Sequence, residues 1–84
     1  VTVSVLAANR AHYALDAYRE VAESPGLSQE EAATDLLADL LHLISINPTD
    51  FDAAIDTDPF DVLAFLVRRA SMHFNAEYAT DGAV

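Results

Sequence analysis

Glu31, Asp35, Asp39 and His42 stand at i, i+4, i+8 and i+11. On a helix this spacing presents three carboxylates and an imidazole from successive turns of one sector. Oxygen ligands arranged in this way, completed from a neighbouring helix, suit Mg2+ or Mn2+. The same residues also suit the wet side of an amphipathic helix, where acids in the first turns complement the positive end of the dipole. In an acidic chain the wet face is the expected reading, with Mg2+ as the alternative. His12, His42 and His73 fall one per predicted long helix, and a zinc-type site would need all three to meet. No His-x-x-x-His pair enforces that, and exposed histidines are expected.

The element carrying the acids is well signalled. Ser28 followed by Glu31 is a capping box, in which the hydroxyl accepts from a free helical N–H and the glutamate reaches back to the Ser28 amide. A helix is predicted over residues 28–46, ended by Asn47-Pro48. Its apolar face comprises Ala33, Leu36, Leu37, Leu40, Leu41, Leu43 and Ile44, with Leu36 and Leu40 expected at core positions where aspartate would unfold the domain. Before it, a helical period over 5–23 places Ala7, Ala11, Ala14, Leu15, Tyr18, Val21 and Ala22 on one face, and Ser24-Pro25-Gly26 breaks the chain. After it, Thr49 is a candidate cap for a short helix over 49–56. Asp58 as N-cap and Pro59 at the first helical position then open a last helix to about residue 78.

The expected fold is one all-α domain spanning residues 1–84. It is an antiparallel bundle of three main helices plus a short connecting helix, with 1–4 and 79–84 frayed. The last helix carries two apolar lines, one of Phe60, Leu63, Val67, Ala70, Phe74 and Tyr78, the other of Val62, Phe65, Met72 and Ala76. One three-helix domain can scarcely cover both. The second line marks extra packing inside the domain or a partner interface, a homodimer being the simplest partner, and the neighbouring pair Arg68 and Arg69 suits either an interface or ion pairs with acids of the same chain. The candidate interface set is Val62, Phe65, Arg68, Arg69, Met72 and Ala76.

Composition narrows the function. Fourteen acidic against four basic residues give a net charge of −10, which disfavours direct nucleic-acid binding and anionic membrane surfaces and leaves a cation, a basic protein partner or a salt-rich habitat. Without cysteine there is no disulfide, thiolate nucleophile or cysteine-type zinc site. No apolar run reaches the ~18 residues of a membrane span, and the expectation is a soluble, cytoplasmic protein.

Two resemblances bear on activity. The acidic helix is similar to the metal-bearing helix of all-α nucleotide pyrophosphatases of the MazG and dUTPase type, which implies Mg2+-assisted attack of water on a polyphosphate. Those enzymes carry Glu-x-x-Glu and Glu-x-x-Asp on paired helices. In this chain Glu31 and Asp35 stand four apart, the Glu-x-x-Glu falls at Glu20 and Glu23, and no lysine is present to grip a triphosphate. A broader pattern comprises T-D-L-L-A-D-L-L-H-L at 34–43, D-F-D at 50–52 and A-x-x-H-F-x-x-E at 70–77. It resembles small uncharacterised helical proteins encoded on bacterial phages and plasmids, which implies an accessory or regulatory role. The expected function is a non-enzymatic acidic interaction or regulatory module without cofactor, dimeric, one version being a DNA mimic that occupies a basic groove. The alternative is a Mg2+-dependent nucleotide pyrophosphatase.

Overall fold

The computed structural model describes residues 2–82. Three α-helices, α1 (Val3–Val21), α2 (Gln29–Ile46) and α3 (Pro59–Gly82), pack pairwise as an all-α antiparallel bundle, with a 3-10 turn at Pro48–Phe51 between α2 and α3. Helix α1 begins earlier than expected, because the Thr2 hydroxyl accepts from the Val5 N–H at 3.2 Å and fixes a first turn that includes Val3 and Ser4. At the other end α3 continues through residues 79–82, which were expected to fray. Residues 1, 83 and 84 lie outside the described residues.

The capping box forms as the sequence dictates: the Glu31 N–H donates to Ser28 Oγ at 3.1 Å, and the Ser28 N–H donates to Glu31 Oε1 at 3.2 Å. The Ser28 backbone N–H, and after it the Ser28 hydroxyl, hold the Glu31 carboxyl below its ordinary range. Asp58 likewise caps α3, its Oδ1 accepting from the Phe60 N–H at 2.9 Å. The short helix expected over 49–56 contracts to a single 3-10 turn. Its cap is Asn47, not Thr49, and Asp52 ends it in the left-handed region with φ 58°.

Helix α1 closes in a Schellman arrangement. The Ser24 N–H reaches the Arg19 carbonyl at 2.9 Å and the Glu23 N–H the Glu20 carbonyl at 3.1 Å, with Glu23 at φ 57°. Glycine normally fills that position, since a side chain there costs about 1 kcal/mol. Glu23→Gly should therefore stabilise the chain by about 1 kcal/mol and raise Tm by roughly 4–8 °C for a domain of this size. An unchanged or lower Tm in a thermal melt would contradict the strain.

The core is thin and lies between α2 and α3. Ala32, Ile44 and Val62 are the buried apolar residues, joined by Pro48. Leu40, Leu41, Leu63 and Leu66 are half-buried around them. Leu36, expected at the centre of the core, is 37% exposed, and Leu37 and Leu43 are more so. Ala32 and Ile44, near the two ends of α2, are covered, while Leu36, between them on the same arc, stays partly open. No described residue of α1 is buried, and polar ties hold α1 to the rest. Arg19 Nε donates to the Leu27 carbonyl at 2.8 Å and Nη2 to the Gln29 side chain, while the Tyr18 hydroxyl donates to Asp39 at 2.5 Å.

The result is an open body. Its principal extents are 45 × 31 × 17 Å and its radius of gyration is 15.1 Å, where a compact chain of this length would have about 12 Å. Its accessible surface is 6438 Å², about 1,500 Å² more than the roughly 4,900 Å² expected of a compact monomer of this mass.

Candidate functional site

The four residues with metal-ligand spacing lie exposed along α2, but their side chains do not converge. Glu31 serves the capping box, and Asp39 is turned towards α1 by the Tyr18 hydroxyl. Among the described residues no three His, Asp or Glu side chains are grouped to hold a metal ion, so His12, His42 and His73 do not meet either. His12 instead faces Asp16, Nδ1 to Oδ2 at 3.2 Å.

The Tyr18–Asp39 contact has an electrostatic signature. The hydrogen bond to Asp39 pushes the Tyr18 phenol from 10.0 up to about 12, helped by desolvation and by the charges of Asp39 and Asp35. Folding then favours the protonated phenol. Its contribution to stability is complete below pH 10 and is lost as pH rises from 10 through about 12. Ultraviolet titration should show one tyrosine ionising near 12, returning towards 10 in Asp39→Ala. An identical titration curve in the variant would rule the contact out.

The expected interface set divides. Val62 is only 7% exposed; it belongs to the protomer core and not to an interface, because α3 turns the aliphatic arc of Val62, Leu63 and Leu66 inward. Phe65 and Arg69 line an open groove of about 520 Å³ with Phe51, Ala54 and Leu66, and the Arg69 guanidinium lies 5.6 Å from the Phe65 ring centre. Arg68, Met72 and Ala76 are exposed. Among the described residues the ion pairs are His12–Asp16 and Arg19–Asp16, and neither Arg68 nor Arg69 pairs with a described acid.

The larger open feature is the other line of α3. Phe60, Val67, Phe74 and Tyr78 are each more than half exposed, and Phe74 stacks on Tyr78 with ring centres 5.6 Å apart. Towards the end of α3, Phe74 and Glu77 meet Ser4, Ala7 and Ala8 of α1 across a mostly apolar crevice of about 240 Å³. The period of the sequence marks both lines as apolar. The protomer covers neither whole line but the arc of Val62, Leu63 and Leu66 between them, set by how α3 rolls on α2, a tertiary property with no local signal.

Charge is segregated from this apolar surface. Twelve of the fourteen acids fall within residues 16–61, and all twelve are exposed. Residues 2–15 and 62–76 contain no acid, yet they carry Arg10, Arg68 and Arg69, three of the four basic residues. No protein family, characterised protein or solved structure matches this chain.

Proposed function

We propose that the chain is a small acidic protein-interaction module, non-enzymatic and dimeric, that presents its carboxylates to a basic protein surface. The segregation just described carries this reading. Twelve of the acids are exposed over residues 16–61, while an apolar surface poor in acids is left for assembly. Carboxylates that converge on a cavity do acid–base or metal chemistry, whereas dispersed exposed carboxylates attract and orient a cationic partner. In its most specific form the module stands in for nucleic-acid phosphates in a basic groove. The accessory role implied by its likeness to proteins of mobile elements is compatible with that form.

Calorimetric titration against a panel of basic nucleic-acid-binding domains tests the proposal. The expected result is binding that weakens as salt rises and is competed by duplex DNA. Failure to bind any domain, together with phosphate release from nucleotides in the presence of Mg2+, would overturn it in favour of a hydrolase.

A further inference from the structure

We propose that α3 pairs with α3 of a second copy, antiparallel, through the seam Phe60, Ala64, Val67, Ser71, Phe74 and Tyr78. This deepens the proposed interaction module and rests on it, since it names the partner of the apolar surface. The six residues are spaced 4, 3, 4, 3 and 4 apart, the 3.5-residue period of a coiled-coil seam. All six are exposed in the protomer, on the flank of α3 away from the Phe65 groove.

From Phe60 to Phe74 the seam alternates larger and small side chains, and this favours the antiparallel arrangement in its inner layers. A two-fold axis near residue 69 sets Phe60 against the partner's Tyr78, Ala64 against the partner's Phe74, and Val67 against the partner's Ser71. In this register Phe74 lies over a small residue, as interdigitating layers require. A parallel pair would stack Phe on Phe and Ala on Ala, giving layers of unequal width. The pairing is isologous, so one patch serves both copies and the assembly closes at two.

Area favours a second copy as occupant, and the charge along the middle of the seam permits it. The surplus of about 1,500 Å², spread over the whole open chain, leaves room for the roughly 800 Å² per partner that an ordinary stable interface buries. Two chains of net charge −10 repel each other, but residues 62–76, the middle of the seam, contain no acid and carry two arginines. Screening the remaining repulsion makes the pair tighter as salt rises, the opposite of the response expected for a basic partner.

The chain has no native cysteine, so single-cysteine variants joined by a short bis-maleimide report the geometry. In the antiparallel register the two copies of residue 71 lie about 6 Å apart along the axis and those of residue 64 about 15 Å apart. Ser71→Cys should crosslink to a covalent dimer and Ala64→Cys should not. Both positions are exposed, so neither substitution threatens the fold. Crosslinking of both variants would overturn the antiparallel arrangement, and crosslinking of neither would overturn the seam. Binding of basic domains is read separately, so loss of the seam and loss of the proposed function are distinguishable.

Discussion

Ile44→Asp should leave the chain unfolded. Ile44 is 1% exposed and is the largest fully buried side chain among the described residues. A carboxylate there has no partner and loses its hydration, at a cost of several kcal/mol. A chain of this length has in total roughly 4–13 kcal/mol to lose, at about 0.05–0.15 kcal/mol per residue. With Ala32, Pro48 and Val62 as the other buried apolar residues among those described, the lower part of that range applies. Leu36→Asp, at a side chain 37% exposed, keeps its charge near water and should cost about 1 kcal/mol. Far-UV circular dichroism with urea denaturation checks both. Ile44→Asp should lose the helical signal without denaturant, and Leu36→Asp should keep a cooperative transition. Equal midpoints for the two variants would contradict the placement of the core.

Val67→Glu should split the dimer while the protomer stays helical. Val67 occupies the layer next to the proposed two-fold axis, so the substitution places two carboxylates close together in a desolvated seam. Two like charges so placed should weaken the pair at least 100-fold, equivalent to about 2.7 kcal/mol. The side chain is 53% exposed in the protomer, so the fold within one chain loses little. Phe65→Glu, on the opposite flank of α3 beside the Phe51 groove, should leave the dimer mass unchanged. Light scattering coupled to size-exclusion chromatography separates the two. A dimeric Val67→Glu with a monomeric Phe65→Glu would move the interface to the line of Phe65 and Met72.

What the sequence made legible was local hydrogen-bond chemistry. Ser28 with Glu31, and Asp58 with Pro59, mark helix starts because the groups that satisfy free N–H donors lie within three residues of them. What it concealed depends on the angle between elements. Apolar residues populate α2 so densely that the helical period marks a broad face without choosing Ile44 and Ala32 over Leu36. The two lines of α3 are equally apolar, and only packing against α2 decides that Val62 is covered and Phe60 is not. Arg19 belongs to no motif, yet it ties α1 to Leu27 and Gln29. Asp39, read as a metal ligand, is met by Tyr18, 21 residues away. The turn at Glu23 was hidden for a different reason: its usual marker, glycine, is absent from that position.

The molecule so proposed is two-sided: it closes its apolar seam on a second copy and leaves its acids outward. Sedimentation equilibrium of the unmodified chain at micromolar concentration tests it most directly. A mass near twice the 9.1 kDa of one chain, with association that tightens as salt is raised, is the predicted result. A mass of 9.1 kDa at low and high salt alike would contradict it.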